Sequence, residues 1–164
     1  MGRIVVSNST PLINFATINQ LDLLRKLFGQ IFIPQAVWDE VVIKGSHYES
    51  AILIKQAEWI KKKSITDKKF CSLLKRELDT GEAEAIVLAI ELKADLILLD
   101  ETEARSFAET LGLNFIGSIG CLVLSKKLGI ITHIKPFLDE MISKAKFWVS
   151  ESLYKIVLKD NKEL

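Results

Sequence analysis

The stretch 81-GEAEAIVLAIELKADLILLDE-101 decides the fold. Its first twelve residues are rich in Ala, Glu, Ile and Leu, with no glycine or proline after Gly81, and predict a helix over 81–92. Lys93-Ala94 interrupts the pattern. The short apolar run 95–99 then reads as a strand, and it stops at Asp100-Glu101. A strand without polar alternation is one buried on both faces. Strands of that kind alternating with helices indicate a parallel sheet covered on both sides.

The alternation continues in both directions. Towards the C-terminus, a helix over 101–111 closes at Gly112 and a strand covers 114–116. Gly117-Ser118 then opens a helix over 119–128, which Gly129 ends. Two more helices are expected near 134–144 and 150–159, and the charged tail 159–164 is expected to fray. Towards the N-terminus, Asp67 reads as the N-cap of a helix to about residue 77, and 59–62 as a short strand or extended link. A helix covers 49–57. Pro34 opens another, which carries Val37, Trp38, Val41 and Val42, and 31–33 is a strand. Leu21, Leu24, Leu27 and Phe28 share a helix face that ends at Gly29. Strand 3–6 runs into the polar turn Ser7-Asn8-Ser9-Thr10, and Pro11 suits the first turn of a short helix over 11–16. The expected fold is α/β, a three-layer sandwich around a parallel sheet of four to five short strands. Residues 1–164 form one domain in this reading, with 134–160 as C-terminal helices.

Composition narrows the function classes. The 164 residues carry 22 Lys+Arg against 21 Asp+Glu, a net charge of +1. A protein holding duplex nucleic acid by bulk charge would be far more basic. Cys71 and Cys121 stand apart from each other, which excludes a disulfide scaffold and suits buried apolar thiols. His47 and His133 have no partners nearby in sequence. No signal pattern opens the chain and no apolar run nears the roughly 20 residues of a membrane span, so a cytoplasmic location away from membranes is expected.

In an open parallel sheet, ligands bind where strands end. Those ends carry Ser7–Thr10, Asp100 and Glu101, and Gly117 and Ser118; Asp39-Glu40 and Glu82/Glu84 lie on helices. Singly, each has a plain explanation: a solvated helix residue, a cap, or an acid favoured at a helix N-terminus. Their order and spacing together carry the signal. The local clusters Lys61–Lys63, Lys68-Lys69, Lys75-Arg76 and Lys126-Lys127 are either solvated faces or a track for a phosphate backbone. Trp38, Trp59 and Trp148 are either core residues or stacking platforms.

These residues resemble PIN-domain nucleases. Val5-Val6-Ser7-Asn8-Ser9-Thr10-Pro11-Leu12-Ile13 is similar to the opening strand and turn of that family, and Ile33–Val41 to its second motif, with Glu40 in the acidic place. Glu84–Ala89 and Ala94–Asp100 are similar to the third and fourth acidic motifs. More narrowly, 7-SNSTPLI-13, 81-GEAEAI-86, 98-LLDE-101 with Ala104-Arg105, and the Gly117–Gly120 spacing resemble the PIN-like group DUF3368. The resemblance implies a PIN-like sandwich and a ribonuclease dependent on Mg²⁺ or Mn²⁺. It places Asn8, Glu40, Glu84 and Asp100 at the site, with Thr10, Glu82 and Glu101 as secondary candidates. Arg105 and Ser118 are expected to meet the RNA substrate. It further implies a homodimer, and for many relatives a toxin's role opposite an antitoxin protein.

Position 8 departs from the pattern, with Asn where the nucleases have Asp. An amide oxygen can ligate a cation but adds no charge. Glu82 or Glu101 would then compensate, or the domain is a weakened module that binds nucleic acid or protein. A third reading is an unrelated phosphate-binding or receiver-like α/β domain that uses Asp100 alone.

Overall fold

The computed structural model describes residues 3–164; Met1 and Gly2, included in the one-domain reading, lie outside the described residues. Five strands form one sheet: β1 (Val5–Ser7), β2 (Ile31–Ile33), β3 (Ile60–Lys62), β4 (Leu96–Leu98) and β5 (Phe115–Ile116), in the order β3-β2-β1-β4-β5. Every pairing is parallel, with Val6 opposite both Phe32 and Ile97. The expected three-layer α/β sandwich is therefore the observed fold, and the stretch 59–62 is a paired strand. The chain winds outward from β1 to β3, then returns to the other side of β1 as β4. That reversal opens a crevice at the carboxyl ends of β1 and β4.

Residue alternation along each strand divides the core. Val5 and Leu98 face one layer, with Leu12 and Phe15 of α1 (Ser9–Thr17), Leu24 of α2 (Leu21–Phe28), Leu122 of α8 (Ser118–Lys127) and Leu138 of α9 (Lys135–Lys144). Val6, Ile97 and Leu99 face the other, with Cys71 of α5 (Lys68–Leu74), Ile86 of α6 (Thr80–Glu91) and Ala104 of α7 (Thr102–Thr110). Val5, Val6, Leu12, Phe15, Ile86, Ile97 and Leu98 are fully buried, and each large side chain among them stabilises the fold by about 1.5–3 kcal/mol.

The structure departs from the sequence expectation at several local points. Helix α1 starts at Ser9 rather than Pro11, since Pro11 still falls in the first turn, where no N–H partner is needed. Asn8 is its N-cap, but the Asn8 side chain makes no capping bond and is left for the crevice. The helix opened at Pro34 is α3 (Gln35–Trp38), which widens into a π-helix over Asp39–Lys44. Gly45 closes it by donating to the Glu40 carbonyl at 3.1 Å, and a Cβ there would lie 3.0 Å from the Val41 carbonyl oxygen. Helix α5 ends at Leu74, short of residue 77, and α4 covers Glu49–Gln56. Finally, the tail after α10 (Glu151–Asp160) does not fray. The Glu163 carboxylate accepts from Ile134 N–H (2.7 Å), Lys135 N–H (2.9 Å) and Lys126 Nζ (2.8 Å), which ties the tail to the start of α9.

Candidate active site

Two nests of polar side chains occupy the crevice. The first surrounds Asp100, two residues beyond the end of β4 at Leu98. Ser118 N–H donates to Asp100 Oδ1 and Ser118 Oγ to Oδ2, both at 2.7 Å. Asn14 Nδ2 donates to Ser118 Oγ at 3.1 Å and reaches Asp100 Oδ2 at 3.5 Å. Arg105 Nε donates to the Leu99 carbonyl at 2.8 Å, and its guanidinium lies over the Phe115 ring. Gly117 is needed for this close packing: a Cβ there would lie 2.7 Å from Asp100 Oδ1 and would overlap the Arg105 guanidinium. Burial pushes the Asp100 carboxyl above its ordinary range, the two Ser118 bonds pull it back, Glu101 pushes it up and Arg105 opposes that.

The second nest surrounds Glu101, the N-cap of α7, whose side chain makes no capping bond. Thr10 Oγ1 donates to Glu101 Oε1 at 2.6 Å, and Asn8 Nδ2 makes a long contact of 3.4 Å to Oε2. Asn8 is held in place from behind, since its backbone N–H donates to the Leu98 carbonyl at 3.1 Å. The other face of the Asn8 amide points to Gly81. Asn8 Oδ1 and Glu40 Oε1 both lie 3.4 Å from the point a Gly81 Cβ would occupy, and Asp79 Oδ1 lies 3.6 Å from it. Three oxygens, from the α1 N-cap, the π-helix and the α6 N-cap, thus border one small space. Ser9 Oγ is buried beside them, with no hydrogen-bond partner among the described residues.

This crowding shows in the acids. Partial desolvation raises the Glu40 carboxyl; the nearby Ser9 hydroxyl lowers it, and Asp79 and Glu101 raise it again. Glu82 is buried and pushed up to about 7, first by desolvation and then by Asp79, Glu101 and Glu103, against the stabilising Asp79 N–H. That N–H bond belongs to a capping box: Asp79 N–H donates to Glu82 Oε1 at 3.0 Å, and Glu82 N–H to Asp79 Oδ1 at 2.7 Å.

The structure therefore brings Asn8, Thr10, Glu40, Glu82, Asp100, Glu101, Arg105 and Ser118 to the carboxyl edge of the sheet. Glu84 Oε1 accepts from Ala36 N–H at 3.0 Å, at the start of α3. Among the described residues, no three Asp, Glu, His or Cys side chains are grouped as a ready-made ion cage. The donors around Gly81 are nonetheless all oxygen, the set a hard divalent ion prefers, and the crowded negative charge favours a cation. Sequence reasoning missed Asp79 and Asn14, while Ser9 lay within the strand-end turn it named. Asp79 had a signal in the D-x-x-E spacing to Glu82, whereas nothing local marks Asn14. Among the basic clusters, Lys126 is engaged by Glu163, and Lys62 lies 5.2 Å over the Trp38 ring. Trp38 and Trp59 pack on the core, while Trp148 is 82% exposed.

A doubly wound parallel sheet whose switch point gathers carboxylates and an amide is an α/β/α ligand-binding architecture. Residues 4–163 match the model of the DUF3368 family, a PIN domain, and the chain belongs to that family. PIN domains are nuclease-like, generally use divalent metals, and point to nucleic acid as the ligand. No curated protein matches the chain. Among the described residues, no helix is long and apolar enough to cross a membrane.

Proposed function

We propose that this protein is a ribonuclease that cuts RNA phosphodiesters with the help of Mg²⁺ or Mn²⁺. The observation that carries the reading is the group of Asn8 Oδ1, Glu40 Oε1 and Asp79 Oδ1 around Gly81, with Glu101 touching the same Asn8 amide and Asp100 its neighbour in the chain. Asn8, Glu40, Asp79, Glu101 and Asp100 would hold the ion, with Glu84 the candidate from sequence that contributes by fixing α3. When bound, the ion supplies charge neutralisation and electrophilic assistance to phosphodiester hydrolysis. The chain's own residues do the rest. Ser118 and Asn14 hold Asp100 in one orientation, and Thr10 does the same for Glu101. Arg105 beside Asp100 is placed to meet a phosphate oxygen. Glu82, with a proton affinity near neutrality, is suited to take up or return a proton.

The test is direct. Purified protein with Mn²⁺ or Mg²⁺ is expected to cut single-stranded RNA, and Asp100→Asn to reduce the rate at least a hundredfold with the melting temperature preserved. Cutting that survives the substitution, or no cutting with either metal, refutes the proposal.

A second reading rests on the Asn8–Glu101 contact. An amide there neutralises part of the nest without metal, as a binding module would need, and such a protein would retain RNA or a protein partner without cutting. A toxin's role, an antitoxin partner and a cytoplasmic location extend the first reading. A homodimer is supported by the C-terminal helices: Leu138, Met141 and Val157 are buried, while Ile142, Trp148, Leu153 and Ile156 stay exposed.

A further inference from the structure

A cavity of about 580 Å³ adjoins the site, between α1, the π-helix, α4 and the end of α9, and its lining reaches Glu40. That volume lies in the range of small-ligand pockets. Ile13 and Val41 make its apolar wall, Tyr48 stands at its mouth, and Lys44, Lys144 and Lys146 line it. Tyr48 is 61% exposed, with the His47 ring tilted against it at a centroid distance of 4.0 Å. Lys144 pairs with Glu140, but among the described residues neither Lys44 nor Lys146 has a carboxylate within ion-pair distance. Glu49 is the second acid of the lining, so lysines outnumber acids.

The backbone adds an independent observation. Lys146 follows α9 at φ +54°, a left-handed position where helices usually place glycine. Lys93 and Lys162 adopt the same conformation away from the cavity, so what distinguishes Lys146 is its place in the lining. The π-helix contributes too, because it carries both Glu40 and Lys44 to that lining.

We propose that this cavity is a nucleotide subsite of the ribonuclease. It would receive one nucleotide of a single-stranded RNA, with its base against Tyr48 and the apolar wall and its phosphates at Lys44 and Lys146. The adjoining phosphodiester then lies towards Glu40. This inference rests on the nuclease reading for what happens at Glu40, but it predicts binding in its own right. Apolar walls accept any base face, and the lysines fix the backbone, so the subsite is sequence-tolerant.

The experiment is fluorescence anisotropy with a labelled single-stranded RNA in EDTA, across a salt series, on the full chain. The variants are Tyr48→Ala and the pair Lys44→Ala with Lys146→Gly, and each is also melted. Tyr48→Ala is expected to weaken binding about tenfold. The lysine pair is expected to lower the slope of log affinity against log salt by about 1.4. Lys146→Gly alone is expected to weaken binding while leaving the melting temperature equal or higher, since it removes the left-handed strain. Wild-type affinity and salt slope in all variants, or no RNA binding by the wild type, overturns the inference. Undiminished RNA cutting by those variants leaves the nuclease reading standing while the subsite fails. Weakened binding in a protein that never cuts RNA does the reverse.

Discussion

Replacing Asn8 by Asp puts a carboxylate where an amide now donates to Glu101, 3.4 Å from Oε2. Two unit charges at that distance repel by about 5 kcal/mol at the effective dielectric of a partly exposed site. Protonation limits the damage. Holding a carboxyl neutral at pH 7 against an ordinary value near 3.9 costs about 4 kcal/mol. The expected destabilisation of metal-free protein is therefore about 2–4 kcal/mol, a fall of roughly 5–12 °C in melting temperature for a chain of this size. In the variant this repulsion makes proton uptake more favourable in the folded than in the unfolded state. The penalty is thus full at pH 8 and fades as pH drops towards 4. Divalent metal reverses the sign, because a second anion on the ring strengthens a site that exists only in the folded state. Mn²⁺ should then raise the melting temperature of Asn8→Asp by more than it raises that of the wild type. The assay is thermal unfolding at pH 8 and pH 5, in EDTA and in millimolar Mn²⁺. If the variant melts with the wild type in EDTA, position 8 and Glu101 do not face each other as argued. If Mn²⁺ gives it no larger shift, position 8 is not part of a cation site.

Two further substitutions probe the acids on either side. Glu82 is held up to about 7, so the burden it places on the fold builds as pH rises from its ordinary value of 4.5 to about 7 and is full above that. Glu82→Gln keeps the acceptor for Asp79 N–H, and should therefore stabilise the metal-free protein by up to about 3 kcal/mol at pH 8 and by nothing at pH 4. Urea unfolding at the two pH values checks it, and an equal effect at both would refute the assignment. At the far end of the fold, burial would raise the Glu163 carboxyl, but Ile134 N–H, Lys126 and Lys135 N–H together draw it below its ordinary range. Its contribution is present above the unfolded value and lost as pH falls through the folded one. Glu163→Ala should cost about 2–3 kcal/mol at pH 7 and little near pH 3, and should increase amide exchange at the start of α9.

The layers were legible in the sequence because apolar runs such as 95–99 admit one reading once helices flank them on both sides. The acidic positions Glu40, Asp100 and Glu101 were legible from order and spacing along the chain. What escaped depends on how a helix is wound and where a side chain turns. A hydrophobic pattern at Val37, Trp38, Val41 and Val42 fits an α-helix. The winding changes at Asp39, and the π-helix closes at Gly45, where a Cβ would crowd the Val41 carbonyl. In the resulting π-helix, Glu40 and Lys44 border one cavity, and their relation to Tyr48 and Lys146 is set by α4 and α9 docking on α1. No spacing rule spans those separations. Glu84 shows the converse. Its motif placed it with the acids, yet one helical turn beyond Gly81 its carboxylate meets the orphan Ala36 N–H. An unpaired helix-start donor attracts the nearest carboxylate, and one oxygen of Glu84 is engaged there. Asp79, one residue before the helix, takes the position at the ring because the capping box with Glu82 fixes its carboxyl on that side. The local rules of helix ends therefore decided which acids face the crevice, and sequence order alone could not.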